Sequence, residues 1–317
     1  MEYLHYKAIN WNVIEDELDN SMWERATSLF WLDTRIPIKN DLPEWKELTT
    51  KQQKVFNKVV TAMATLSTFQ SRNGYEVIRT GKRTQQEIAI YNNIQFIESV
   101  HTKAFNSMLM AFNTYEEVEE LLKQADTNLL LQERLQRIEE VYLTGTPLQK
   151  KIANLLVEGV LPYSGMLMFL NFWGQKRFLN IAEMIKLILM NESLHCQYIV
   201  HKLNLQTKDL TKVQMKELNE WANKFVTDLM ELEVKIIKDI YNEESLEQDA
   251  FNLVTEQINQ IFEELEFTPL YETQSEYTVN IDVIRDLLAN VTKHSIVPQK
   301  GQVYKQEDEM TEYDYDF

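Results

Sequence analysis

Two four-residue phrases, Glu98-Ser-Val-His101 and Glu192-Ser-Leu-His195, hold two of the five histidines in this chain. A spacing of three on a helix puts carboxylate and imidazole on one face. Two such phrases on antiparallel neighbours therefore aim four metal-ligating side chains at one interior point. A single copy would read as a surface ion pair, but repetition on two core-facing helices reverses that reading. A third match, Glu2 to His5, sits in an unanchored arm and is treated as chance. Glu158 joins the set because it is the only charge between Ile152 and Gln175. A carboxylate in such apolar surroundings is costly unless it pairs with a Lys or Arg, or binds a metal ion.

Such residues need long helices to position them, and the composition favours helices. Seven glycines and six prolines in 317 residues leave few turn formers, while Leu, Glu, Lys, Gln and Met are plentiful. An all-α fold is expected. After an N-terminal arm, 31–43 reads as loop, with Pro37 and an Asn-Asp-Leu-Pro turn; Thr49 or Thr50 then caps a helix reaching about residue 79. Further helices are expected over 84–113, an acidic amphipathic 115–142, and an apolar 148–173 that comes after Thr144-Gly-Thr-Pro147. Others fit 180–203, 211–241, 246–265 and 280–290. No repeat, linker or glycine-rich phosphate loop interrupts the series, so 1–298 is expected to be one domain. The polar, acidic stretch 299–317 lacks apolar surface and is expected to be a disordered tail.

Charge and hydropathy exclude several partners. With 49 acidic against 32 basic residues and a net charge of −17, the surface is unsuited to neutralising phosphates, so no nucleic-acid partner is expected. The uncharged run 159–175 is too short and too polar to span a membrane and reads as a buried helix. The lone Cys196 allows no internal disulfide and no dithiol pair, and no leader-like succession marks the N-terminus. A cytoplasmic protein is expected.

Ferritin-like dimetal bundles take a lone carboxylate from each of two helices and a Glu-x-x-His phrase from each of two others. Glu158 supplies one lone carboxylate. The helix over 49–79 has no Asp or Glu between Glu47 and Glu76, so Ser67 is the candidate for its inward position. In this arrangement the chain resembles the small subunit of class I ribonucleotide reductases, most closely the class Ib branch. The resemblance covers nearly the whole sequence. It is carried by Trp31 within Phe-Trp-Leu, the Ile-Pro segment with Asn40-Asp41 and Pro43-Glu44-Trp45, and both Glu-x-x-His phrases. Glu158 ahead of Tyr163-Ser-Gly and the acidic aromatic tail complete it.

The resemblance implies a ferritin-like helical bundle with additional helices, a homodimer, a large catalytic subunit as partner, and a flavodoxin-like activase as a further one. It implies a dimetal centre of iron or manganese, oxidised by oxygen or superoxide, with ligands at Glu98, His101, Glu158, Glu192 and His195. The oxidising equivalent would travel by Trp31, Asn191 and Tyr304, and Tyr313, Tyr315 and Phe317 would dock on the large subunit. Three positions depart from the family pattern. Ser67 stands where the family has Asp, Phe105 where it has its radical-bearing Tyr, and Asn191 where it has the Asp that hydrogen-bonds the transfer Trp. Ser67 should weaken one metal position. Phe105 rules out a tyrosyl radical at that place, which leaves the metal pair or another aromatic, with Tyr163 nearest along the sequence. Two alternatives stay open: a ferritin-like metal-binding or regulatory protein without a radical, and a dimetal oxidase, which would need an open pocket beside the metals.

Overall fold

The computed structural model describes residues 8–79, 84–242, 245–272 and 276–292. Tyr304, Tyr313, Tyr315 and Phe317 lie outside the described residues, as does the rest of 299–317. The N-terminal part holds α1 (Glu17–Ser28), two 3-10 turns (Asp33–Arg35 and Ile38–Asp41), α2 (Leu42–Glu47) and α3 (Thr50–Phe69). A π-helical turn at Gln70–Gly74 leads into α4 (Tyr75–Ile78), then α5 (Gln85–Phe112), α6 (Tyr115–Asp126) and α7 (Leu129–Thr144). Next come α8 (Pro147–Gly159), α9 (Leu161–Gly174), α10 (Leu179–Thr207), α11 (Lys212–Tyr241), α12 (Glu247–Glu264) and α13 (Ile281–Thr292). No strand occurs among the described residues.

The helix starts are written in the sequence as Thr-x-x-Gln/Glu boxes. Thr49, Thr114, Thr146 and Thr211 each accept from the backbone N–H three residues on, while Gln52, Glu117, Gln149 and Gln214 reach back to the cap N–H. Five helices form the core: α3 packs on α5, α8 on α10, α5 meets α10, and α3 meets α9. α1 covers α5, α6 covers α3, α7 and α12 pack on α11, and α13 lies on α9 and α10. A single apolar cluster runs through all of them.

The expected helices differ from the observed ones in three places. The stretch 115–142 is two helices, because the Asn128 side chain accepts from Leu130 and Leu131 N–H and starts a new one. The stretch 148–173 breaks at Val160 (φ −127°, ψ −62°), with Pro162 in the first turn of α9 where its missing N–H costs nothing. Gly159 precedes this break at a close approach: a Cβ there would lie 2.7 Å from Cys196 Sγ and 2.9 Å from Ile261 Cδ1. The third difference is the π turn after Phe69. Pro147–Gly174 is long and apolar enough to cross a membrane, but 94% of its most apolar stretch is buried inside the fold, so its apolarity serves the core.

Candidate metal centre

Each candidate ligand is held by an element whose ends are fixed locally. α5 carries Glu98, His101 and Phe105, and Thr84 caps it by accepting from Glu87 N–H at 2.9 Å. α10 carries Asn191, Glu192 and His195. Its first turn is capped from far along the chain: the Asp41 carboxylate accepts from Ile181 N–H at 2.8 Å and from the Asn180 amide at 2.6 Å. Glu44 accepts from the N–H of Phe178, the left-handed residue (φ 51°) that turns the chain into α10. The Asn40-Asp41 and Pro43-Glu44-Trp45 segment is thus a capping device for a ligand helix. Trp31 sits in the loop after α1, which is tied to α5 where Asp33 accepts from Ser107 at 2.5 Å and Lys103 at 3.0 Å.

The five candidate ligands converge. Donor atoms of Glu98, Glu158, Glu192 and His195 all lie within 4.8 Å of one another, and all four residues are buried. His195 Nδ1 is 3.0 Å from Glu158 Oε2, 3.6 Å from Glu98 Oε1 and 3.7 Å from Glu192 Oε2. His101 Nδ1 lies on the other side, 3.2 Å from Glu98 Oε1 and 3.3 Å from Glu192 Oε1. Among the described residues none of the three glutamates has a Lys or Arg partner; the buried Arg134 pairs with Glu233 instead, at 2.9 Å. Glu98 Oε1, Glu192 Oε2 and His101 Nδ1 have no hydrogen bond of good geometry although all are buried. Buried acceptors left in this state are costly, and an oxygen-rich set with imidazoles is what iron and manganese take. The residues present therefore fit a metal-binding group.

The electrostatics point the same way. Burial, then the neighbouring Glu158, pushes the Glu98 carboxyl above its usual range; burial, then Glu98 and Glu158, pushes Glu192 well above it. Burial also opposes charge on Glu158, but hydrogen bonds from His195, Glu192 and Gln70 overcome it and hold that carboxyl low. For His101, burial disfavours the cation, and Glu98 more than compensates, so its affinity for a proton rises. Without a metal ion, protons stand in for the missing positive charge.

Asn191 links this cluster to Trp31. Its Oδ1 accepts from Trp31 Nε1 at 2.8 Å and lies 3.3 Å from His101 Nε2. An amide oxygen only accepts, so Nε2 carries hydrogen and Nδ1 is the atom turned to the glutamates. The Trp31 and His101 rings stack with centroids 6.2 Å apart. Asn191 thus retains the hydrogen bond to the tryptophan that an aspartate would make.

On this side of the cluster the side chain that reaches it is Gln70, in the π turn that follows α3. Ser67 is buried but makes no hydrogen bond to any of the five residues. Gln70 Nε2 donates to Glu158 Oε1, and Gln70 Oε1 accepts from Tyr142 at 3.0 Å. Its side chain curls over Gly74, where any Cβ would collide with the carboxamide. Phe105 is fully buried one turn beyond His101. Tyr163 lines a cleft of about 920 Å³ that also touches Glu158, Glu192 and Cys196, with Glu256, Gln260 and Arg285 further along it. The sequence alone does not single out Gln70, or Tyr75, whose ring meets that of His195 at 6.2 Å. A π turn leaves no pattern in residue types by which either could be found.

With this geometry in place, comparison with known proteins assigns the ancestry. The family described as "Ribonucleotide reductase, small chain" matches residues 8–280. The ribonucleoside-diphosphate reductase subunit beta of Mycobacterium leprae is 30% identical over 298 residues, covering 94% of this chain and 91% of that protein. The ribonucleoside-diphosphate reductase 2 subunit beta of Escherichia coli K12 is 29% identical over 305 residues, covering 96% and 95%. The crystal structure of dimanganese(II)-NrdF from Streptococcus sanguinis superposes with a TM-score of 0.84 at 37% identity, covering 91% of this chain and all of that one.

Proposed function

Because the chain belongs to the ribonucleotide reductase small-chain family, we propose that Glu98, His101, Glu158, Glu192 and His195 hold a pair of iron or manganese ions. The protein is a small subunit of ribonucleoside-diphosphate reductase: it stores an oxidising equivalent and passes it to the large subunit for ribonucleotide reduction. This assignment sets aside the two alternatives, a ferritin-like metal-binding or regulatory protein without a radical and a dimetal oxidase. One observation carries the metal reading: three glutamates and two histidines are buried together with no Lys or Arg partner among the described residues. The metal pair, when bound, supplies one-electron oxidising power.

Two unequal positions are proposed. Glu158, Glu192 and His195 close the tighter one. Glu98 and His101 face the position where Ser67 contributes no carboxylate, and that position binds more weakly. The cleft reaching Glu158 and Glu192 admits a small oxidant from the surface, and a flavodoxin-like activase would deliver it at the mouth. Trp31, joined to His101 through Asn191, begins the exit route, which would continue through Tyr304. Tyr313, Tyr315 and Phe317 would anchor the tail on the large subunit, since aromatic anchors let a short segment repay its ordering cost. In keeping with its family, the subunit acts as a homodimer.

Elemental analysis of the purified protein, combined with reductase assays alongside the large subunit, tests this reading. Iron or manganese is expected at more than one ion per chain after loading, with one ion lost first on chelation. Deleting Tyr313 to Phe317 is expected to weaken association without unfolding the bundle. A protein that takes up no metal, or a tail-deleted form that supports nucleotide reduction at the full rate, overturns the corresponding part.

A further inference from the structure

Phe105 leaves the centre without a phenol one turn from His101, yet another phenol stands against the ligands from the opposite side. Tyr75 is completely buried, and its ring sits edge-on to His195 with centroids 6.2 Å apart and planes at 76°. Its hydroxyl has no hydrogen bond of good geometry. The charged groups around it are Glu158, Glu98 and Glu192, and Glu158 is the one within hydrogen-bonding reach. A buried phenol usually finds a partner. This one is aimed at the ligand cluster.

The placement is set by the π turn. Gln70–Gly74 winds with extra residues per turn and rotates the chain beyond it, so Tyr75 and Ile78 face inward beside Gln70 and Gly74. π turns of this kind recur at functional sites. Tyr75 is also the first of four successive neighbouring rings: Tyr75 to His195 at 6.2 Å, His195 to His101 at 6.4 Å, and His101 to Trp31 at 6.2 Å. The succession passes through both histidines of the cluster and ends on the tryptophan held by Asn191.

Other tyrosines are placed less well. Tyr142 is linked to Glu158 only through Gln70, and its hydroxyl is occupied by Gln70 and Asn154 while its ring stacks on Phe69. Tyr91 stands one ring beyond Tyr75, and Tyr198 two. Tyr163 lines the open cleft.

We propose that Tyr75 is the redox-active phenol of this centre, taking the part that Phe105 cannot. The step balances with an oxidant of stated class, a metal pair already oxidised by oxygen or superoxide. Tyr75 gives one electron to that pair, which is reduced by one. Its O–H bond breaks, the proton passes to a carboxylate oxygen of Glu158, and a neutral phenoxyl radical remains. The inference rests on the metal-centre reading above.

The test uses the full chain loaded with Fe(II) or Mn(II), with bound metal quantified before oxidation by oxygen or superoxide. Electron paramagnetic resonance spectra of rapidly frozen samples are compared with and without ring-deuterated tyrosine. Wild type and Tyr142→Phe are expected to give a tyrosyl signal that narrows on deuteration, and Tyr75→Phe is expected to lose it with metal content and helical circular dichroism unchanged. Tyr75→Phe keeps the buried ring and removes only the hydroxyl oxygen, so the fold is expected to survive the change. A tyrosyl signal that persists in Tyr75→Phe overturns the proposal. So does a wild-type protein that binds and oxidises its metal without any tyrosyl signal, and that result leaves the metal reading standing. Failure to bind metal at all removes both.

Discussion

Metal binding should stabilise the fold, and the gain should grow steeply with pH. At a free Mn(II) concentration of about one hundred times Kd, binding to the folded state alone adds about 2.7 kcal/mol. For a domain of this size that corresponds to roughly 5–10 °C in Tm. The pH dependence comes from the protons that the metal must displace. Glu98, His101 and Glu192 all hold protons more tightly in the folded protein than their ordinary values of 4.5 and 6.5. Stability from such raised groups is fully present below the unfolded values and is lost as pH rises through the folded ones. The metal-free protein therefore weakens with rising pH over this window, while the competing protons leave the ligands. Glu158 has the opposite sign: its contribution is present above 4.5 and is lost only as pH falls toward about 2, outside the window. Each proton displaced is worth about 1.4 kcal/mol per pH unit. Displacement of roughly two would remove the whole Mn(II) increment over about one pH unit of acidification.

Thermal melts with and without Mn(II), from about pH 8 to about pH 6, measure this directly. Glu158→Gln and His195→Gln should each abolish most of the shift at the upper end. An increment that is the same at both ends of the range, or that survives both substitutions, would falsify the claim that these side chains bind the metal.

Three further outcomes are expected from particular contacts. Asn191→Leu leaves Trp31 Nε1 and His101 Nε2 without an acceptor and should cost about 1–3 kcal/mol for each, read by urea unfolding together with a shift in tryptophan emission; unchanged stability and emission would contradict the bridge. Gly159→Ala should cost about 1–3 kcal/mol through overpacking against Cys196 and Ile261, and adding Cys196→Ala should restore part of it, whereas equal stability of all three proteins would show that the helices simply slide apart. Arg134→Met strands the buried Glu233 and should cost about 3–5 kcal/mol, most of it recovered in the double variant Arg134→Met with Glu233→Met.

Most of the fold was legible because helix starts depend on local chemistry. Thr49, Thr114, Thr146 and Thr211 each carry a partner three residues on, and such boxes can be read from a chain without knowing what it packs against. The helix breaks were less legible. Asn128 is an ordinary polar residue inside an amphipathic run until its side chain turns to cap α7, and Val160 has no intrinsic tendency to interrupt a helix. The break at Val160 coincides with Pro162, which has no N–H to give to the carbonyl one turn back and so sets a helix start just before it, and Gly159 there allows the close approach to Cys196 and Ile261.

The site divides along the same line. Glu98 with His101 and Glu192 with His195 are visible because helical periodicity converts a spacing of three into a shared face, and Glu158 because a charge in an apolar run needs a reason. Counting by that same periodicity from Ser67 fails within a turn, since the π turn at Gln70–Gly74 breaks the count and brings Gln70 and Tyr75 to the ligands. A search for carboxylates also passes over an amide. The Gln70 carboxamide donates to Glu158 and accepts from Tyr142, so the helix that lacks an acid still fixes the one on α8. Ser67 brings no carboxylate to the centre, and Gln70 contributes a neutral donor that helps keep Glu158 ionised. On the proposed reading, Glu158 is thereby set to bind a cation even where the neighbouring position binds poorly.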